Sequence, residues 1–332
     1  MLFKKYIKII QGNWEIRLIV AICFVLLSAR YVEPETKPLL SFDDPTPQGI
    51  FERLVIPLKR VNNLFLIEAR IDTLEGNFIL DTGAPKLVLN KTYFRNYKLS
   101  PGTSSYGISG GGEQVFRQKI DSLIIQDLFF TELDADVVNL GHIEDAKGVK
   151  ILGLLGANLF LDMEIEIDLL NSELILYKID KEGERIYKGD TITLIADIKI
   201  PVETDNNLLF INIIVEEKKL RFCLDTGAEI NVLSNTVSNK VLKHFALTSR
   251  ASLGGSGSKS VDVLNGKLDV LTVGTDTLKN MPFVLTGLTY LQVVYDTTID
   301  GILGYQFLAK GRIVINSKKR EFLMYFYIEE TE

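Results

Sequence analysis

Two aspartates occupy the same four-residue setting, Asp81-Thr82-Gly83-Ala84 and Asp225-Thr226-Gly227-Ala228. An apolar run delivers each one into a glycine-containing turn, residues 77–80 in the first case and 221–224 in the second, and another apolar run follows. A carboxylate at the end of a buried strand is costly unless a neighbour compensates it. Two such sites in one chain suggest that each aspartate is the other's neighbour. Two adjacent carboxyls do not both ionise cheaply, so one keeps a proton. Such a pair can take a proton from a water and later give one to a leaving group. Taken singly, either aspartate would read as a turn or helix-cap residue; the duplication is what favours chemistry.

The setting of the aspartates is itself duplicated. Ile56-Pro57 matches Ile200-Pro201, Asn62-Asn63-Leu64 matches Asn206-Asn207-Leu208, and Val88-Leu89 matches Val232-Leu233, all offset by 144 residues. From 56 to 89, 14 of 34 positions are identical without a gap, which composition alone would not produce. Gly153-Leu154-Leu155-Gly156 matches Gly301-Ile302-Leu303-Gly304 at an offset of 148, so the second copy has gained four residues. Two copies predict a pseudo-symmetric pair of lobes and not a solenoid. Within each copy the signals are those of strands: 64–71 and 208–215 are apolar and β-branched at strand length. Hairpins are expected over 120–130 and 268–278. Strand pairs are expected at 163–168 with 173–178 and at 312–315 with 321–328, and short helices at 157–161 and 305–310. Many short strands and few helices predict an all-β protein.

The 332 residues are 46% apolar and 24% charged, ordinary for a globular chain, with a formal net charge of −6. Residues 1–30 carry +4, which leaves −10 on the rest. An acidic body argues against nucleic acid as a partner. Residues 18–29 (LIVAICFVLLSA) are an uncharged apolar run behind Lys4, Lys5 and Lys8. This predicts a signal or membrane anchor over 1–30, with the body exported and tethered, or released if the segment is cut. Residues 31–48 hold four of the nine prolines and read as a linker. The expected lobes are then 49–185 and 186–332. Cys23 and Cys223 make no disulfide framework, and Cys223 reads as a small core hydrophobe. His142 and His244 have no second ligand at metal spacing, so neither a metal site nor a cofactor is expected.

An apolar strand, Asp-Thr-Gly, a glycine-rich stretch and a Gly-apolar-apolar-Gly segment together resemble an aspartic protease lobe. Two lobes in one chain resemble the pepsin-type bilobal arrangement, while the alanine after Asp-Thr-Gly is more like retroviral-type proteases and their bacterial relatives. The resemblance covers about residues 50–328 and implies two acid-protease β-barrel lobes with the site in the cleft between them. It implies that Asp81 and Asp225 are catalytic, that Thr82 and Thr226 hydrogen-bond across the lobes, and that Gly83 and Gly227 let backbone approach the carboxyls. It also implies that 154–156 and 302–304 run as apolar strands against the motifs. Tyr106, Gly107, Ser109, Gly110 and Gly111, with Gly254, Gly255 and Gly257, would form mobile tips closing over a bound peptide. The implied activity is endopeptidase cleavage of a peptide or protein by an activated water, and one chain suffices without a dimer. Pepsin-like enzymes often carry Ser or Thr where Ala84 and Ala228 stand. Losing that hydroxyl donor to the ionised carboxylate predicts a mildly acidic to neutral optimum. The rival readings on the same fold are a catalytically silent peptide-binding module and a structural envelope protein.

Overall fold

The computed structural model describes residues 45–95, 100–101, 105–106, 112–113, 115–189, 195–254 and 260–328. The apolar segment 18–29 lies outside the described residues, as do Gly107, Ser109, Gly110, Gly111, Gly255 and Gly257. Among the described residues no helix is long and apolar enough to cross a membrane.

The chain folds as two all-β lobes joined by a shared sheet. Each lobe opens with a hairpin: Leu64–Ile71 with Leu74–Asp81, and Leu208–Val215 with Lys218–Leu224. Asn62 (φ 54) and Asn206 and Asn207 (φ 49 and 61) turn the chain into the first strand of each hairpin. Asparagine tolerates that left-handed backbone better than most residues, which accounts for the repeated Asn-Asn. Strand Gly153–Gly156 lies parallel to Leu74–Asp81, with Gly156 opposite Asp81. Gly301–Leu303 lies parallel to Lys218–Leu224 in the same way. On its other edge each of these central strands takes a short antiparallel partner, Val88–Asn90 or Val232–Ser234. The long hairpins Phe116–Ile125 with Leu128–Val138 and Ser260–Val273 with Asp276–Thr286 complete the lobes.

Six neighbouring strands form the base that both lobes share, in the order Arg53–Pro57, Glu173–Lys178, Met163–Asp168, Gly311–Asn316, Glu321–Phe326, Ile198–Asp205. At its centre Ile165 pairs with Ile315 and Ile167 with Ile313. The 148-residue offset converts one of these pairs into the other, so the pseudo-twofold axis passes through the Glu166/Val314 pair between them. One face carries Ile165, Ile167, Leu174, Leu176, Ile313, Ile315, Phe322 and Met324 into an apolar core that continues through both lobes. The other face buries Glu164 and Glu166. Arg185 lies between these two carboxylates, Arg312 sits 3.2 Å from Glu166, and Arg185 stacks 3.6 Å over the Tyr177 ring. Buried carboxylates are tolerated here because each has a charged partner.

The helices differ from the sequence expectation. The expected helix over 157–161 is a single 3₁₀ turn, Ala157–Leu159, because the strand beginning at Met163 takes up the chain. The expected helix over 305–310 ends at Leu308. Among the described residues three further helices, Gly141–Lys147, Asn239–Leu242 and Thr289–Tyr295, were not expected. They have seven, four and seven residues, too few for an apolar period to stand out.

Phe322 is fully buried at the base. Phe322→Ala is expected to cost about 3–5 kcal/mol. Because the core is continuous, both lobes should then unfold in one urea transition shifted to lower midpoint; two separated transitions would contradict this.

Candidate active site

The two Asp-Thr-Gly-Ala turns meet on the pseudo-twofold axis. The Thr82 hydroxyl donates to the Leu224 carbonyl at 2.8 Å and accepts from the Thr226 N–H at 3.0 Å. The Thr226 hydroxyl donates to the Leu80 carbonyl at 2.8 Å and accepts from the Thr82 N–H at 3.0 Å. Both threonines are buried. Each hydroxyl therefore uses its proton and a lone pair on the opposite lobe, and four backbone groups that a strand end would leave unpaired are satisfied.

This lattice presses the aspartates together. Each carboxyl lies against the opposite turn, close enough for the two aspartates to act on one another's protonation. The Asp81 Oδ1 accepts from the N–H groups of Gly83 at 3.0 Å and Ala84 at 3.1 Å, and the Asp225 Oδ1 from Gly227 at 2.8 Å. A β-carbon on Gly83 would lie 2.3 Å from the Asp225 carboxyl carbon, and one on Gly227 2.6 Å from that of Asp81. Only glycine lets each loop come this close to the other lobe's carboxyl. From the other side, a β-carbon on Gly156 would lie 2.2 Å from the Lys86 carbonyl oxygen, and one on Gly304 2.4 Å from that of Ala228. The Gly-apolar-apolar-Gly strands thus pack directly against the turns.

Burial pushes the Asp81 carboxyl well above the usual carboxylate range, and the charge of Asp225 adds to the effect. Burial also pushes Asp225 up, but the hydrogen bond from Asp81 and the amides of Gly227, Ala228 and Gly83 oppose it. The pair titrates as one unit that holds a proton where an isolated carboxyl would have lost it. Chemically it offers one acid and one base side by side. Cys223, two residues before Asp225, is buried, and burial followed by the two aspartate charges pushes its thiol well up, so it stays a neutral core residue.

Asp81, Thr82, Gly83, Asp225, Thr226 and Gly227 all come together here. Of the residues expected to close over a peptide, Tyr106 lies in the short strand Ser105–Tyr106, whose backbone runs against helix Thr289–Tyr295, and Gly254 ends strand Phe245–Gly254. Sequence reading missed the flanks of the site. Helix Gly141–Lys147 is strapped down by Glu144, which accepts from the Ile151 N–H at 2.8 Å and the Tyr93 hydroxyl at 2.6 Å. Its counterpart Gln292, at the 148 offset, donates to the Ile299 carbonyl at 2.8 Å. The offset already visible in the glycine segments would have paired Glu144 with Gln292 and Lys147 with Tyr295.

Two outcomes test this geometry. Thr82→Val removes a hydroxyl and strands two buried partners on the other lobe. It is expected to cost about 1–3 kcal/mol for each group left unpaired. The Thr82→Val/Thr226→Val pair should be non-additive, read from urea midpoints in a double-mutant cycle. The second outcome concerns pH. The folded Asp81 carboxyl binds its proton more tightly than the unfolded one, so its stabilising contribution is complete below the ordinary value of 3.8 and is lost as pH rises through the raised folded value. Asp81→Asn is therefore expected to be more stable than the natural chain at neutral pH, with the gap closing as pH falls toward 3.8. A gap independent of pH would contradict the raised carboxyl.

The family described as aspartyl protease matches residues 67–159 and 211–307, one segment in each copy and together more than half of the chain. A search of curated proteins finds no match. Among solved structures, a retropepsin-like aspartic protease from Rickettsia conorii is 19% identical, covering 40% of this chain and 95% of that one with a TM-score of 0.28. The aspartic proteinase from Irpex lacteus is 11% identical, covering 82% of this chain and 97% of that one with a TM-score of 0.45. The matched segments contain both Asp-Thr-Gly-Ala turns and both Gly-apolar-apolar-Gly strands, and the chain belongs to the aspartyl protease family.

Proposed function

We propose that the chain is an endopeptidase that cleaves peptide bonds with a water activated between Asp81 and Asp225. The observation that carries this reading is the pair of aspartate carboxyls brought together at the junction of the two lobes, each packed against the glycine of the opposite turn and held by the threonine hydrogen bonds. In the free enzyme one carboxyl of the pair holds a proton and the other is ionised. The ionised carboxyl takes a proton from the water as the water attacks the scissile carbonyl carbon. The protonated carboxyl donates a hydrogen bond to the carbonyl oxygen, where negative charge develops. The C=O π bond opens and the protonated carboxyl passes its proton to that oxygen, giving a neutral tetrahedral diol. On collapse one diol hydroxyl returns its proton to that carboxyl, the C–N bond breaks, and the proton taken from the water passes to the leaving nitrogen. The bound water supplies the nucleophile, so no acyl-enzyme forms.

The rigid threonine lattice supports this chemistry by keeping the carboxyls in place, so that little reorganisation accompanies the reaction. One chain carries both halves of the pair, which makes a monomer sufficient. The basic flank and apolar run of residues 1–30 support an exported body held at the membrane, with a peptide or protein as its substrate.

Asp81→Asn and Asp225→Asn are each expected to lower kcat/KM for peptide cleavage by about 10²–10⁴-fold or more, since each removes one partner in proton transfer. The natural chain should show a bell-shaped pH–rate profile with its maximum at mildly acidic to neutral pH. Cleavage unaffected by either substitution, or a maximum in strong acid, would contradict the reading.

A further inference from the structure

Beyond their shared Asp-Thr-Gly-Ala, the two turns are held in different ways. The first turn leaves Ala84 into Pro85 and Lys86. Proline fixes its own φ, and Lys86 is buried and paired with Asp136 of the same lobe at 2.7 Å. Ala84, Lys86 and Leu87 are all buried. The second turn leaves Ala228 into Glu229 and Ile230. These three residues are only half-buried, and the 144-residue offset puts glutamate where the proline stands and isoleucine where the lysine stands. The exit of the second turn therefore has neither of the restraints that its own lobe gives the first.

What reaches that exit is a side chain of the first lobe. Lys147 forms an ion pair with Glu229, four residues after Asp225. The lysine side chain is 12% exposed, so the pair is screened less than a surface pair would be. The backbone that carries Lys147 is a fixed point. Gly148 closes helix Gly141–Lys147 in the left-handed conformation, at φ 66, and donates to the Glu144 carbonyl at 2.7 Å. The Glu144 side chain ties the same helix to Ile151 and Tyr93. At the other end of the link, Glu229 follows Ala228, whose carbonyl accepts from the Tyr305 N–H at 2.8 Å. On the pseudo-symmetric side the 148-residue offset maps Lys147 onto Tyr295, and the 144-residue offset maps Glu229 onto Pro85. A tyrosine and a proline make no ion pair, so this link belongs to the second turn alone.

We propose that Lys147 is a positioning residue for the reaction: through Glu229 it holds the exit of the second turn against the first lobe and so keeps Asp225 in register with Asp81. The inference rests on the peptidase reading above and adds a residue to it. Lys147 acts without touching the substrate. The threonine lattice fixes where the two turns cross, but Thr226 lies at the entry of its turn and leaves the exit unrestrained. A turn held at both ends keeps its carboxyl in one place. Held at the entry alone, it can rock about the threonine links and carry the Asp225 carboxyl with it. A displacement of about 1 Å between reacting groups can cost about 10²-fold in rate. That loss falls on the chemical step and not on substrate binding.

The test is steady-state cleavage of a peptide substrate by the full chain, with kcat and KM measured separately across pH. The double variant Lys147→Met/Glu229→Gln removes the pair without leaving a lone charge. It is expected to lower kcat about 10–100-fold with KM changed by less than about twofold. Its pH profile should also narrow, because carboxyls that have moved apart interact less and their two apparent pKa values draw together. The charge swap Lys147→Glu/Glu229→Lys restores an ion pair and should recover most of the lost kcat. If the double variant does not fold, Lys147→Gln alone, which keeps a hydrogen-bond donor facing Glu229, should show a partial loss of kcat. Arg312→Met is the control: it breaks another ion pair between the lobes, with Glu166 at the base, and should lower the urea midpoint while leaving kcat unchanged. Unchanged kcat in the variants without the pair, a swap no more active than the double variant, or an equal loss of kcat in Arg312→Met would overturn the inference while leaving the peptidase reading intact. Absence of cleavage by the natural chain would overturn the peptidase reading and this inference with it.

Discussion

Two carboxyl groups are held against one another at the junction of two lobes, and most of the local structure answers the cost of keeping them there. Isolated carboxylates resist burial and repel each other. Asp81 and Asp225 escape both penalties by sharing a proton and accepting backbone N–H groups from their own turns. That arrangement needs backbone within hydrogen-bonding reach on every side. Gly83 and Gly227 provide it across the axis, and Gly156 and Gly304 provide it from the strands packed against the turns. The threonines then tie the turns together with two pairs of reciprocal hydrogen bonds, so that neither carboxyl can move away without stranding buried donors and acceptors.

The same axis runs through the base of the molecule. The Ile165/Ile315 and Ile167/Ile313 pairs are images of one another, just as the two threonine links are. The core is continuous from the base into both lobes, which makes the separation of the two turns a property of the whole fold and not of a flexible hinge. Rigidity of this kind suits proton transfer, where the acid and base must stay in register while the substrate changes shape. Membership of the aspartyl protease family accords with that design.

Duplication also leaves room for divergence. Where backbone spacing is constrained, the copies have kept the same residues: Asp, Thr, Gly, Ala, and the glycines of the central strands. Elsewhere they have separated, as Lys147 from Tyr295 and Glu229 from Pro85. Lys86, buried and paired with Asp136 at 2.7 Å, is replaced by Ile230 at the matching position of the second copy. A symmetric pair of carboxyls can thus sit among asymmetric surroundings.

Much of this was legible in the chain itself. Apolar and β-branched content at strand length marked the strands at 64–71 and 208–215, whose ends the structure keeps, because strands buried on both faces fill with such side chains. The repeat at 144 residues fixed two lobes, because identical local instructions build identical local structure. The short helices 141–147 and 289–295 were hidden, since seven residues carry too little periodicity and their hold comes from distant partners, Ile151 for Glu144 and Ile299 for Gln292. The meeting of Asp81 with Asp225, the crossing of the Lys147/Glu229 pair and the approach of Tyr295 to the site depend on how the lobes close. Contacts between residues 70 to 150 positions apart arise when a continuous core brings the copies together, and no local pattern encodes that distance; only the tertiary structure decided it.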